Sequence, residues 1–244
     1  MKSLFSKQYF PVLFGAGLEY YDIALYGFMA PILVDVFLPF LPKTTAYFYY
    51  FLFEFFAALC QLAGARVFGK MGDSSGRKKT MYYTMLGLSF VTFFFCILPT
   101  YQQAGTLAAG LFWACRALQS FFLGGEYNGG AIYCLEHESN KNNHGFISGL
   151  YCALTVSGII LAALISTLIS YFGIDYFRCA YIFSVVFVIL TFFVRKSIKE
   201  TPEYLAALTK PEFSETTSNY YNTLAIILFM LFFRGLVWPA NAHF

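Results

Sequence analysis

Charge is what this chain has least of. Asp, Glu, Lys and Arg make up 12% of its 244 residues, against roughly 25% in soluble domains, which excludes a water-soluble globular fold. Six cysteines stand singly at positions 60, 96, 115, 134, 152 and 179, with no Cys-x-x-Cys pair, which argues against a disulfide framework or a thiolate metal site. His137 and His144 lie in a polar stretch, where such a pair is expected to be solvated rather than metal-bound. The polar segments hold no nucleophile–base pair, metal cluster or phosphate loop, so an enzyme is not expected and no cofactor is implied. A formal charge of +3 implies no basic groove, and nucleic acid is not an expected partner. There is no low-complexity tract. Residues 8–18 resemble a short signal-peptide core, but Glu19 and Asp22 interrupt the run and no small-residue cleavage site follows, which predicts an uncleaved first helix.

What is abundant is apolar surface. Hydrophobic residues reach 59%, aromatics 21%, and the mean hydropathy is +0.61. A bilayer core of about 30 Å takes about 20 apolar residues per helix. Runs near 9–39, 45–70, 80–99, 104–135, 145–172, 177–194 and 222–240 each suffice, giving an all-α integral membrane protein of about seven spans. Lys2, Lys7, Lys70, Arg77 to Lys79, Lys141, Arg195, Lys196, Lys199 and Lys210 fall on one side, leaving chiefly Lys43 and Arg178 opposite. The positive-inside rule then puts the N-terminus in the cytoplasm. The expected organisation is a six-helix half over 1–195, a cytoplasmic linker over 196–221 and the start of a seventh span over 222–244. Within the linker, Thr201-Pro202 reads as an N-cap followed by proline at the first helical position, starting a short helix over 202–208. Connections after the first and third spans are short, and the polar segment 136–144 reads as a loop.

Ionisable groups inside the spans carry the functional signal, since each costs about 2.5–3.5 kcal/mol at the bilayer centre on insertion scales. In the first span Glu19 and Asp22 are three residues apart, hence on one helical face, and Tyr26 follows four residues later on the same face. Two carboxylates so close in a low dielectric cannot both ionise cheaply, which suits reversible proton binding. In the fourth span Arg116 and Gln119 share a face, and Glu126 stands among Gly124, Gly125, Gly129 and Gly130, which allow close helix approach. Acids of the first span facing Arg116 of the fourth would line a central cavity; equally, these groups can pin helices together, and the two roles are compatible. Glu54 either faces a cavity or does not, with no named partner. Arg66 and Lys70 read as snorkelling groups. Arg234, in the last span, is left unassigned, and the many aromatics read as packing or lipid-facing groups.

Between the second and third spans lies Gly69-Lys-Met-Gly72-Asp73-Ser-Ser-Gly76-Arg77-Lys78-Lys79, a tight basic loop. Its glycines permit a sharp turn, Asp73 can cap the next helix, and the basic residues hold that end in the cytoplasm.

Four segments in order resemble the metabolite:proton symporter branch of the major facilitator superfamily, which includes proline/betaine, α-ketoglutarate and citrate carriers. They are Gly17-Leu-Glu19-Tyr-Tyr-Asp22 with Tyr26-Gly27, the 69–79 loop, Arg116-x-x-Gln119 with Gly124-Gly-Glu126 and Glu136, and Glu200-Thr-Pro-Glu-Tyr204. The loop is shared across the superfamily; the other three are specific to this branch. The resemblance implies a six-helix N-terminal half built as a 3+3 repeat plus a partial seventh helix, in the cytoplasmic (inner) membrane of a bacterium. It implies proton-coupled symport of a small organic solute, with Glu19, Asp22, Tyr26, Arg116, Gln119 and Glu126 along the path. Gly69, Gly72, Asp73, Gly76, Arg77 and Lys78 would form the conformational gate. The expected partners are the solute, the bilayer, and a separate C-terminal half or a second copy; the alternative is a membrane-integral remnant or assembly partner without transport of its own. Three positions depart from the family pattern: Gln61-Leu-Ala-Gly64 replaces Arg-Pro-x-Gly, Ser74 replaces an arginine, and Asn142-Asn-His-Gly145 lacks the usual arginines.

Overall fold

A computed structural model describes residues 10–138, 141–195 and 198–207, and every described regular element is helical. The expected segments 1–9 and 208–244, which include the N-terminal lysines, most of the linker, Arg234 and the seventh span, lie outside the described residues. The helices are α1 (Phe10–Phe28), α2 (Ala30–Phe37), α3 (Lys43–Ser75), α4 (Arg77–Ile97), α5 (Tyr101–Ala104), α6 (Thr106–Glu136), α7 (His144–Phe172), α8 (Phe177–Arg195) and α9 (Pro202–Ala207). Among the described residues five stretches are long and apolar enough to cross a bilayer, and the bent pair α1 with α2 makes a sixth when counted as one span.

The first span is not the single straight helix expected over 9–39. It bends by 62° between α1 and α2. Pro31 sits in the first turn of α2, where it has no N–H to offer the preceding turn and its ring crowds that turn. The chain bridges the bend through Met29 N to Leu25 O and Leu33 N to Met29 O, both 2.9 Å.

The 69–79 segment is likewise less of a loop than expected. α3 continues to Ser75 and α4 begins at Arg77, so the whole turn is Gly76, with φ +100°. That left-handed region favours glycine. Gly69 and Gly72 are helical residues of α3. On the opposite side, the expected loop after the third span contains a single helical turn, α5, closed by a capping box between Thr100 and Gln103.

Two helix pairs make the closest crossings. α3 meets α6 where Gly64 lies under the Phe121 carbonyl and Gly124 under that of Gln61; α1 meets α7 where Gly17 lies under the Leu154 carbonyl and Gly158 under that of Gly17. No side chain fits at these points, and in a bilayer such close packing takes the place of the hydrophobic effect between helices. The packing also shows a symmetry that is hidden in the sequence. Exchanging the first three spans with the last three turns the α1–α7 contact into α6–α3, and α1–α8 into α6–α4, all of which are present. This is the packing of a 3+3 repeat.

Gly64→Leu and Gly158→Leu are expected to destabilise by about 1–3 kcal/mol or more through overpacking, read as a lowered Tm of detergent-solubilised protein. Gly110→Ala, which meets open space, is expected to leave Tm unchanged.

Candidate functional site

Two linked clusters occupy the interior. In the first, Arg116 of α6 holds Glu54 of α3 bidentately, Nε to Oε2 at 3.0 Å and Nη2 to Oε1 at 2.7 Å, and donates through Nη1 to Gln119 Oε1 at 2.8 Å. Gln119 Nε2 donates to Asp22 Oδ2, which also accepts from Thr92 Oγ1 at 3.0 Å. Arg116 Cζ lies 4.0 Å from the centroid of the Tyr26 ring, a cation–π contact. Tyr26 in turn stacks on Tyr50 and Phe112, and Tyr50 donates its hydroxyl to the Tyr26 carbonyl at 2.8 Å. Asp22, Gln119 and Arg116 are buried, and the cluster reaches the surface at Glu54, whose side chain is 35% exposed.

The second cluster centres on Arg195, the last residue of α8. Its Nη1 contacts Glu19 Oε1 of α1 at 3.0 Å and also Glu126 Oε1 of α6, while Nη2 donates to the Val12 carbonyl at 3.3 Å. Glu126 Oε2 accepts from Thr84 Oγ1 of α4. All three charged side chains are less than a tenth exposed.

The six predicted path residues are therefore divided between the two clusters, Asp22, Tyr26, Arg116 and Gln119 in the first and Glu19 and Glu126 in the second, with a different pairing from the one expected. Arg116 does not face Glu19; its carboxylate partner is Glu54, which had no partner in the sequence reading. Glu19 and Glu126 share Arg195, which the sequence reading counted among the flanking cytoplasmic charges. Charge counting points to it: acids at 19, 22, 54 and 126 leave a shortfall if Arg116 is their sole cation, and Arg195 follows directly on an apolar run.

At the basic end, Arg77 Nη1 pairs with Asp73 at 2.9 Å and Arg77 Nε with Glu136 at 3.5 Å. Asp73 does not cap α4. That role belongs to Glu200, whose Oε1 accepts from Arg77 N at 2.9 Å and Lys78 N at 3.2 Å. A carboxylate at a helix N-terminus meets both unpaired N–H groups and the positive end of the dipole, and its spacing of more than 120 residues hides it from local reading. Nearby, Tyr204 donates its hydroxyl to Ser74 O at 3.2 Å and Tyr133 to Lys199 O at 2.8 Å, so segment 198–207 is strapped across the corner. Thr201 caps α9 through Tyr204 N at 3.4 Å, with Pro202 in the first position. The segment read as loop 136–144 opens with Glu136 inside α6 and within this group. His137 Nδ1 lies 3.0 Å from the Tyr133 carbonyl and His144 Nε2 3.1 Å from that of Glu138.

Residues 9–225 match the family described as sugar (and other) transporter. The chain belongs to this family of the major facilitator superfamily. It is 28% identical to the proline/betaine transporter of Escherichia coli K12 over 258 residues, covering 94% of this chain and 49% of that protein. It is 28% identical over 212 residues to the glycine betaine/proline/ectoine/pipecolic acid transporter OusA of Dickeya dadantii, covering 81% of this chain and 40% of that one. The E. coli xylose transporter XylE, in a partially occluded inward-open conformation, superposes with a TM-score of 0.72 at 16% identity, over 84% of this chain and 50% of its own. The chain thus spans about half the length of the relatives it matches. It is a multi-pass membrane member of this superfamily, with the fold of an N-terminal six-helix half, and its named relatives are transporters rather than enzymes.

Arg195→Gln leaves two buried carboxylates without their cation and is expected to cost about 3–5 kcal/mol; adding Glu126→Gln is expected to recover part of that loss, measured by chemical denaturation in micelles. Glu200→Ala removes a cap worth about 0.5–2 kcal/mol, and is expected to speed hydrogen exchange at residues 77–80 with α7 unchanged.

Proposed function

We propose that this chain supplies the N-terminal half of a proton-coupled secondary transporter, a symporter that moves a small organic solute such as proline, betaine or a carboxylate by alternating access across the cytoplasmic membrane. One observation carries the reading. Four carboxylates, Glu19, Asp22, Glu54 and Glu126, share two guanidinium groups, Arg116 and Arg195, in and beside the buried interior. The surplus negative charge is costly in a low dielectric, and proton binding relieves it. Protons are the only coupling ion the reading requires, with no cofactor.

Arg116 offers the solute a planar bidentate fork. Its fork is filled by Glu54, the partly exposed member, so a solute carboxylate competes with Glu54 for the same donors, and protonation of Glu54 yields them. Gln119 links this exchange to Asp22. In this reading 1–195 is the membrane half, 196–221 the linker and 222–244 the start of the other half. The corner at Gly76, with Asp73, Arg77, Lys78, Gly69 and Gly72, gates the cytoplasmic side. The binding partner is a C-terminal half or a second copy, which would complete the solute cavity.

The test is uptake of radiolabelled proline, betaine and α-ketoglutarate into vesicles, with and without a proton gradient, by this chain alone and co-expressed with the C-terminal half of a proline/betaine transporter. Gradient-dependent uptake is expected, falling to vesicle background in Glu19→Gln and Asp22→Asn at equal membrane insertion. Uptake unchanged in both variants would remove these residues from the proton path. No uptake in either preparation, with the protein folded, would support the alternative of a membrane-integral partner without transport of its own.

A further inference from the structure

A cleft of about 470 Å³ lies between α4 and α8 at the basic end, apart from the Arg116 cluster. Its walls are apolar, formed chiefly by Met81 and Met85 of α4, Phe192 of α8 and Ile198 after it, and its mouth carries Lys78 and Lys79. This volume falls within the roughly 300–1,000 Å³ of ligand sites. The charges around it are unequal in availability. Arg195, which also lines the cleft, is committed to Glu19 and Glu126. Glu200, the acid at the mouth, is engaged by the N–H groups of Arg77 and Lys78. Neither lysine ammonium has an ion pair among the described residues. Both lysines sit in the first turn of α4, whose dipole adds positive potential.

Tyr82 and Tyr83 of α4 also line the cleft and are themselves exposed, and the two helices carry further apolar side chains outward, with Leu86 and Phe90 on α4 and Ile189 and Phe193 on α8 exposed. The cleft therefore joins a basic collar to a hydrocarbon-facing surface. A soluble anion would use the collar alone; an amphiphile with an anionic head uses both ends. We propose that this cleft binds an anionic phospholipid of the cytoplasmic leaflet, its phosphate between Lys78 and Lys79 and its acyl chains along Met81, Met85 and Phe192. The phosphate then lies beside the Glu200 carboxylate, which opposes it. Neutralising Glu200 and neutralising the lysines accordingly have opposite effects on lipid retention. The assignment is independent of whether the chain transports a solute.

The experiment uses the full chain in nanodiscs doped with photoactivatable phosphatidylglycerol or with phosphatidylcholine bearing the same chains, and crosslinks are mapped by mass spectrometry. Phosphatidylglycerol is expected to label segments 78–85 and 192–200 in excess over phosphatidylcholine. At about 1 kcal/mol per basic residue near the surface, labelling is expected to fall about fivefold for Lys78→Gln or Lys79→Gln singly. It is expected to hold in Lys78→Arg with Lys79→Arg, to rise in Glu200→Gln, and to be indifferent to Lys43→Gln at the other end. Labelling at the opposite end of each variant reports its folding. Equal labelling by the two lipids, or labelling unchanged in the double glutamine variant, would overturn the site. Displacement by soluble glycerol phosphate would assign the lysines to free phosphate and overturn the lipid.

Discussion

Charge inside the bilayer has to be compensated within the protein, and two guanidinium groups bear that requirement here. Arg116 draws α3, α6 and, through Gln119, α1 to one point; Arg195 draws α1, α6 and α8 to another. Thr84 and Thr92 tie α4 into both. Among the described long helices α7 makes none of these contacts, and it is held to α1 by the Gly17–Gly158 crossing and by Ser166 Oγ donating to the Phe28 carbonyl. A membrane gives helices no hydrophobic reason to prefer each other over lipid. Specific charge pairs and close backbone approach are what remain to determine which helices pair. An unpaired buried carboxylate would cost several kcal/mol, so these contacts also dictate register along each helix.

The two kinds of contact divide the work by symmetry. The glycine crossings α1–α7 and α3–α6 are equivalent under exchange of the two three-helix units, as are α1–α8 and α4–α6. The charge pairs do not obey that exchange. In the buried clusters α1 contributes two acids, Glu19 and Asp22, where α6 contributes an arginine and one acid, Arg116 and Glu126. A symmetric scaffold of close crossings thus holds an asymmetric set of titratable groups, as expected where a repeat architecture builds a site at its centre.

The spans were legible because their signal is local: about 20 apolar residues announce themselves without knowledge of the fold. So were Thr201-Pro202, a cap written in adjacent residues, and the partnering of Glu19, Asp22, Arg116, Gln119 and Glu126 with other buried polar groups, since buried charge demands company. Their pairing was not legible, because helical periodicity gives the face of a residue but not its height against a neighbour. Arg195 was mistaken for a flanking charge for this reason. It ends its helix, where snorkelling groups belong, and only the three-dimensional approach of α1 and α6 shows that it turns inward. Glu200 was missed as the cap of α4 because capping rules search within a few residues. Its target is more than 120 residues away. The bend at Pro31 was readable in principle and was passed over because the apolar run continues through it.

Arg195 and Glu200 are five positions apart. The first fastens the end of α8 to Glu19 and Glu126 inside the membrane; the second fastens the following segment to the start of α4. α6 makes the same connection from its side, since Glu126 belongs to the buried cluster and Glu136, at the helix end, to the Arg77 corner. The interior charges and the basic corner are therefore joined twice, once through a continuous helix and once through a short strap. Packed interfaces change between discrete arrangements rather than deforming continuously. In the proposed transporter a change in charge at Glu19 or Glu126 would alter the hold on Arg195, whose carbonyl accepts from Ile198 N, at the start of the strap, at 3.0 Å. In such a transporter the corner would thus respond to the protonation of groups it never touches.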